Sequence, residues 1–205
     1  MKVILINGSP HENGTTYRAL YEVATSLKEN GVDYEIITVG NKKVVGCDVC
    51  GACSKLGKCI KDDVVNELIE KIENADGLVV GSPVYYASLN GSLKALLDRL
   101  FFAKKSFAYK PAAAVAVARR AGTTATLDII NKYFMLSNMP VVSSQYWNMV
   151  FGSNGEQAEC DQEGLQTMRV LGNNMAWLIK CIKNAEKDGI LPLEEEKHIR
   201  TNFYK

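Results

Sequence analysis

Short β-rich runs alternate with longer helical patterns along this chain, and this alternation restricts the fold more than any other feature. Runs such as 2–6 and 34–39 are rich in Val and Ile, and each is followed by apolar residues spaced three and four apart. The unbroken apolar run 112–118 is typical of a strand covered on both faces. Strands that each lead into a helix pair in parallel through right-handed crossovers.

The pattern predicts a doubly wound α/β/α sandwich with a five-stranded parallel sheet in the order 2-1-3-4-5. The strands are predicted at residues 2–6, 34–39, 78–80, 112–118 and 141–145. The helices are predicted at 15–30, from a cap at Asp62 or Asp63 to 74, and at 91–102, 124–137 and 162–184. Because ligands bind outside the carboxyl ends of such strands, the loops after strands one, three and four should meet at one site.

Length and charge exclude several classes of protein. The 205 residues suit one domain, 1–205, with a charged tail at 187–205. With 24 basic and 23 acidic side chains, the net charge of +1 gives no electrostatic case for nucleic acid or an anionic membrane. The N-terminal apolar run is too short for a signal peptide, and no stretch approaches a membrane span. We therefore expect a cytoplasmic protein.

The loop 8–16, between the first strand and the first helix, has the small and hydroxylated residues of a phosphate site. Backbone N–H groups at a helix N-terminus attract an anion. The loop is not an ATP or GTP P-loop, because it has one extra residue between its glycines and no lysine, and G-x-G-x-x-G is absent. A monophosphate such as that of FMN remains. The alternative is a tight turn in which Thr15 merely caps the helix.

Three segments resemble the NADPH-dependent FMN reductase branch of the flavodoxin-like proteins: Gly8-Ser9-Pro10 with residues 13–16, the run 81–86, and the helical run 94–99. The resemblance covers about residues 1–125 with good motif specificity, and the rest more loosely. It implies a flavodoxin-like fold, non-covalent FMN and hydride acceptance from NAD(P)H. It also implies a homodimer or homotetramer.

Carried over residue by residue, the resemblance assigns two parts of an FMN site. The phosphate would be held by Ser9, His11, Asn13, Thr15 and Thr16. The isoalloxazine edge would be followed by Pro83, Val84, Tyr85 and Tyr86. A flavin ring needs an apolar or aromatic face and main-chain hydrogen bonds, and this turn offers both. Simple packing of a loop at the edge is the alternative.

The loop 119–124 after the fourth strand should reach the pyrimidine end of the ring. Arg119 and Arg120 could offset charge on a reduced flavin or bind the phosphate of the nicotinamide cofactor, or they are simply solvated. Of the two arginines, Arg120 is the one assigned to the cofactor site. Gly122 and Thr123 are better candidates, through their backbone. The aromatic run 146–148 could cover the flavin, and core packing or a subunit contact are the alternatives.

Four cysteines, Cys47, Cys50, Cys53 and Cys59, crowd into the loop 46–61. Three cysteines separated by two residues each, with a fourth further downstream, favour a [4Fe-4S] cluster over zinc. Structural zinc usually uses two separated Cys-x-x-Cys pairs. The spacing resembles that of iron–sulfur flavoproteins, a subgroup of the same family with a [4Fe-4S] cluster in the loop after strand two. Because that loop lies at the carboxyl edge of the sheet, we expect it to lie close to the flavin. A redox-active thiol set and plain structural thiols are the alternatives. Cys160 and Cys181 are expected to be ordinary thiols.

These features predict an FMN-dependent NAD(P)H oxidoreductase that passes electrons to an unidentified small-molecule or protein acceptor. One alternative is an electron carrier with FMN and a cluster, serving a ferredoxin-like partner. The other is a flavin-free binding or sensing module on the same fold. The two histidines, His11 and His198, form no competing catalytic constellation with the scattered carboxylates.

Overall fold

The computed structural model describes residues 1–103, 106–193, 196, 199 and 201–203. His198 and part of the predicted charged tail lie outside the described residues. Within the described part of the chain, no helix is both long and apolar enough to cross a bilayer.

The strands are β1 (Lys2–Asn7), β2 (Asp33–Thr38), β3 (Gly77–Tyr85), β4 (Ser88–Leu89), β5 (Ala112–Ala118) and β6 (Met149–Phe151). Five of them are parallel and form the sheet, in the spatial order β2-β1-β3-β5-β6. The short β4 pairs antiparallel with the end of β3 and lies off the main path. Counted over the parallel strands alone, the order is the predicted 2-1-3-4-5, so the predicted doubly wound sheet is confirmed.

Helices cover both faces of this sheet. They are α1 (Thr15–Glu29), α2 (Cys53–Leu56), α3 (Val64–Glu73), α4 (Gly91–Ala103), α5 (Thr123–Leu136), α6 (Gly155–Cys160) and α7 (Gln162–Lys187). One apolar core lies between the sheet and α1 with α7, and the other lies between the sheet and α3, α4 and α5. The predicted cap of α3 is Asp63, whose side chain accepts the Val65 N–H. The sequence patterns did not predict the short helices α2 and α6.

The predicted fifth strand, 141–145, is wrong: the strand forms at Met149–Phe151. Val141 makes only an isolated bridge to Ala112, and the chain then leaves the sheet until Met149 pairs with Ala116. The edge segment therefore uses residues 141–149 over the length that β5 spans with residues 112–116 alone. The Asn148 side chain fills the gap, because its Nδ2 donates to the Ala114 carbonyl at 3.0 Å.

The third strand is much longer than the predicted 78–80. Ser82 and Pro83 continue it, pairing with Ala116 and Val117 of β5. Part of the run assigned to a flavin-facing turn is therefore strand, and the turn itself lies at Tyr85–Ala87, where the Ala87 N–H donates to the Tyr85 carbonyl at 2.7 Å. The extension carries Pro83 and Val84 out to the carboxyl edge of the sheet.

Candidate functional site

A pocket at the carboxyl edge of the sheet gathers loops that are far apart in sequence. We call it the loop pocket; it encloses about 710 Å³, part of it open to solvent. It is lined by Ser9, His11, Gly14, Thr15, Thr16, Pro83, Val84, Tyr85, Val117, Ala118, Arg119, Gly152 and Ser153. The loops after the first, third and fourth parallel strands therefore converge, and the loop after β6 joins them.

The floor of the loop pocket is the N-terminus of α1. The cap residue is Gly14, which offers no side chain, and the first helical hydrogen bond runs from the Arg18 N–H to the Gly14 carbonyl at 3.0 Å. Thr15 lies inside the helix and donates its hydroxyl to the Gly152 carbonyl at 3.2 Å, so it does not cap the helix. The N–H groups of the first turn have no preceding turn to bond to, which leaves a site suited to an anion.

Asn7 is buried beneath this loop and holds its shape. Its Oδ1 accepts the Ser9 N–H at 3.0 Å, and its Nδ2 donates to the His11 carbonyl at 3.4 Å and to Thr38 Oγ1 at 3.2 Å. One fully buried amide thus ties the phosphate loop to the end of β2. Asn7 was not among the predicted site residues; its position at the end of a mostly apolar strand was the available signal.

Gly40, just after β2, lies against the backbone of the same loop. A Cβ on Gly40 would lie 2.3 Å from the Gly8 carbonyl oxygen, 2.3 Å from the Ser9 carbonyl carbon and 2.5 Å from the Pro10 nitrogen. Such distances are shorter than van der Waals contact, so any side chain at position 40 would displace the loop. The sequence analysis also missed this residue.

The loop after β5 packs against the end of β3. A Cβ on Gly122 would lie 2.8 Å from Val84 Cγ1, and Gly122 also has a positive φ of 91°, which disfavours any other residue. Thr123 donates its hydroxyl to Met149 Sδ at 3.4 Å. Gly122 and Thr123 line a neighbouring pocket of about 950 Å³ together with Tyr146 and Trp147, whose rings meet edge to face at 4.9 Å.

Several predicted residues do not line the loop pocket in the described structure. Asn13 is exposed, and its carbonyl lies against Gly155. Tyr86 is fully exposed at the tip of the turn, with a positive φ of 57°. Of the two arginines, Arg119 lines the pocket and Arg120 does not. Gly152 and Ser153 line it although the sequence analysis did not propose them, because their loop follows the strand that was misplaced.

All four clustered cysteines line a second concavity, which we call the cysteine pocket. It spans about 370 Å³, part of it open to solvent, and is bordered by Cys47, Asp48, Cys50, Gly51, Cys53, Cys59, Ile60, Lys61, Arg99, Phe102 and Ala103. Cys47 and Cys50 are exposed, Cys53 and Cys59 are half-buried, and all are free thiols. The spacing in sequence therefore does bring the four sulfur-bearing residues to one place.

Asn66 of α3 fixes the position of Cys59. Its Oδ1 accepts the Cys59 N–H and its Nδ2 donates to the Cys59 carbonyl, each at 2.9 Å. On the other side, Arg99 of α4 donates to Cys59 Sγ from Nε at 3.4 Å and from Nη2 at 3.2 Å. Burial alone would lower the pKa of Arg99, but hydrogen bonds to Asp63 and Cys59 outweigh it and hold the pKa above its ordinary value. The guanidinium is therefore charged.

Four cysteine sulfurs are a donor set that iron–sulfur clusters use. Among the described residues, no three cysteine, histidine or acidic side chains are arranged to hold one metal ion. A cubane cluster binds its cysteines through different iron atoms, so its four thiolates surround a volume instead of meeting at a point. The four cysteines that line one pocket are the residues that would hold such a cluster.

The two pockets are separate features of the molecule. Among the described residues, none lines both pockets. Arg99, Phe102 and Ala103 belong to the second half of α4, and Arg99 lies roughly 12 Å along the helix axis from Gly91 at its start. The cysteine pocket is therefore distinct from the loop pocket, and closeness of the cysteine loop to the flavin stays a prediction.

The doubly wound sheet, with an open helix N-terminus and three converging loops at its carboxyl edge, defines a flavodoxin-like protein. A flavodoxin from the domain Archaea has the same fold, with a TM-score of 0.61 at 16% identity, over 88% of this chain and 99% of the flavodoxin. The chain belongs to the NADPH-dependent FMN reductase family, whose model matches residues 1–154. It is therefore a flavin oxidoreductase or electron carrier of an FMN-binding family.

Two archaeal relatives match nearly the whole chain. An iron-sulfur flavoprotein of Methanocaldococcus jannaschii is 34% identical over 192 residues, which cover 89% of this chain and 100% of the relative. An iron-sulfur flavoprotein of Methanosarcina thermophila is 31% identical over 194 residues, 91% of this chain and 100% of the relative. The predicted resemblance to the FMN reductases and iron–sulfur flavoproteins is thereby confirmed.

Proposed function

We propose that this chain is an FMN-dependent NAD(P)H oxidoreductase that passes electrons onward through a [4Fe-4S] cluster held by Cys47, Cys50, Cys53 and Cys59. The observation that carries the proposal is the pairing of two pockets in one chain. One has an open helix N-terminus for a phosphate, and the other is lined by all four clustered cysteines. The iron-sulfur flavoproteins among the relatives support both assignments.

In this proposal, the loop pocket binds FMN in two parts. The first-turn N–H groups of α1, including that of Thr15, bind the phosphate together with the hydroxyls of Ser9 and Thr16, since the Thr15 hydroxyl donates to the Gly152 carbonyl. Pro83, Val84 and Tyr85 provide an apolar and aromatic edge for the ring. When bound, FMN supplies hydride and single-electron chemistry, so the protein needs no nucleophile of its own.

Arg119 lines the loop pocket, and we assign it the role that the sequence predicted for Arg120. It is exposed at the rim, where it can meet a negatively charged donor. Gly122 keeps the neighbouring loop packed on Val84, so it acts by shaping the pocket wall. Assembly as a homodimer or homotetramer stays a prediction of the resemblance.

Exposed apolar side chains around the cysteine loop favour a protein acceptor. They are Val45, Val49, Leu56, Ile60 and Phe102, each at least 56% exposed. Apolar side chains next to a cluster site are typical of a surface that another protein covers briefly. We propose a ferredoxin-like carrier as the partner, because a cluster passes on one electron at a time.

The test is anaerobic purification of the full chain, followed by iron and sulfide analysis, a visible spectrum and titration with FMN. We expect flavin and cluster absorption together, and bleaching of the flavin when NADH or NADPH is added. A colourless protein that leaves FMN fluorescence unchanged would refute the flavin assignment. A yellow protein without iron, even after reconstitution with iron and sulfide, would refute the cluster alone.

Asn7→Ala should weaken FMN binding without unfolding the chain. The substitution removes the acceptor of the Ser9 N–H and the donor to His11, so the phosphate loop loses the amide that shapes it. Loss of buried hydrogen bonds costs about 1–3 kcal/mol, which corresponds to roughly a 5- to 100-fold increase in the dissociation constant. Fluorescence titration measures this change.

The matched control for this prediction is Asn30→Ala at the far end of α1. Asn30 also donates its amide to a main-chain carbonyl, that of Ser26 at 2.8 Å, but it lies at the opposite end of the helix from the phosphate loop. Equal FMN affinity in the two variants would contradict the role of Asn7.

A further inference from the structure

Arg99 is a buried cation in the wall of the cysteine pocket. Its side chain is only 1% exposed, although it lies on a helix that also has a solvent-facing side. A buried guanidinium is costly unless all its charge and donors are matched. The surroundings of Arg99 should therefore show what the residue is for.

All five N–H donors of Arg99 have acceptors. Asp63 accepts two of them, from Nη1 at 2.5 Å and from Nη2 at 3.0 Å. Cys59 Sγ accepts two more, and the Val45 carbonyl accepts the fifth at 3.3 Å. The planar guanidinium thus spans a carboxylate on one side and a cysteine sulfur on the other.

The first three clustered cysteines are each two residues apart, and Cys59 follows after a longer gap. The position of Cys59 therefore decides whether all four sulfurs can bind one cluster. Asn66 fixes its main chain, and Arg99 fixes its sulfur. We propose that Arg99 is a positioning residue that holds the Cys59 sulfur for the cluster and raises the cluster's reduction potential. This inference rests on the proposed cluster.

The sign of the effect follows from electrostatics. Adding an electron makes a cluster more negative, so N–H donors and a positive charge at a ligand sulfur favour the reduced state. Burial strengthens the effect because little water screens the guanidinium. Asp63 acts in the opposite direction, since its carboxylate offsets part of that charge. Arg99 and Asp63 should therefore move the potential in opposite directions.

A lysine would not reproduce this arrangement. Its ammonium is a single point of charge, whereas the guanidinium fork reaches the carboxylate and the sulfur together. Arg99→Lys keeps the charge but loses part of the hydrogen bonding. We expect its potential to lie between those of the wild type and Arg99→Gln.

The experiment is a potentiometric titration of the anaerobically reconstituted full chain, followed by the EPR signal of the reduced cluster, with iron and sulfide content measured in parallel. The variants are Arg99→Gln, Arg99→Lys and Asp63→Ser. Serine can still accept the Val65 N–H and cap α3, so Asp63→Ser removes charge and keeps the helix. Lys94→Gln is the matched control, because it removes an exposed cation on the same helix, one that pairs with Asp98 at 2.8 Å.

We expect a more negative potential in Arg99→Gln, a less negative one in Asp63→Ser, and an unchanged one in Lys94→Gln. A purely structural role would not produce shifts of opposite sign.

If Arg99→Gln retains no cluster, the potentials of Asp63→Ser and Arg99→Lys test the inference instead. A shift in Asp63→Ser toward more negative potential, or Arg99 variants that match Lys94→Gln, would overturn the inference while leaving the cluster in place. Wild-type protein that takes up no cluster would overturn both this inference and the cluster part of the proposed function.

Discussion

Gly40→Ala should lose tight FMN binding. The new methyl group would meet three backbone atoms of the phosphate loop at 2.3 to 2.5 Å, and backbone atoms cannot rotate away as a flexible side chain can. The loop 8–10 must therefore move, which changes the entry to α1 and the position of Ser9. An overpacked contact of this kind costs about 3 kcal/mol, or roughly a hundredfold increase in the dissociation constant for FMN.

The control for this prediction is Gly91→Ala at the start of α4. A Cβ at position 91 would meet nothing within 4 Å, so the same chemical change is made without a collision. Fluorescence titration with FMN and thermal unfolding of both variants give the comparison. An FMN affinity of Gly40→Ala equal to that of Gly91→Ala would show that the phosphate loop is not part of the FMN site.

The topology and the converging loops were predictable because they depend on local pattern and chirality. Each long apolar run and each helical repeat indicates its own element, and right-handed crossovers then determine where the loops go. The convergence of Ser9, Tyr85 and the loop after β5 at one edge needed no knowledge of side-chain contacts. The cap at Asp63 was predictable for the same reason, since capping is local.

The last strand was misplaced because its pairing is not local. Val141 and Val142 have strand propensity, but the neighbour with which they pair, the start of β5, offers only a single bridge. Asn148 then bonds to β5 through its side chain, and Met149 resumes the ladder. Strand propensity does not reveal such an interruption, because it depends on which carbonyl of β5 a distant side chain reaches.

The residues that support the two pockets from beneath were missed because their contacts join distant parts of the chain. Asn7 acts through His11 and Thr38, and Gly40 acts through the backbone of the phosphate loop. A signal for Arg99 did exist. It falls three residues after Leu96 on the buried face of α4, where a charge is unusual and calls for a partner.

Cys59→Ser should remove the cluster while leaving FMN binding intact. A serine hydroxyl is a much weaker iron ligand than a thiolate, and Cys59 is the cysteine that closes the site. Arg99 would keep its two bonds to Asp63, so the buried charge stays paired and the fold should survive. Iron should fall from about four atoms per chain to nearly none, as the formula of the cluster requires. Iron and sulfide assays with an FMN titration measure both parts.

The two cysteines outside the loop provide matched controls, Cys160→Ser and Cys181→Ser. Both are exposed and lie away from the cysteine pocket, so the same change of sulfur to oxygen should leave iron content unchanged. Full iron content in Cys59→Ser would exclude it as a ligand and favour the other readings of the loop, a redox-active thiol set or structural thiols. Because the loop pocket and the cysteine pocket share no described residue, loss of iron with unchanged FMN affinity is the result that the two-pocket arrangement requires.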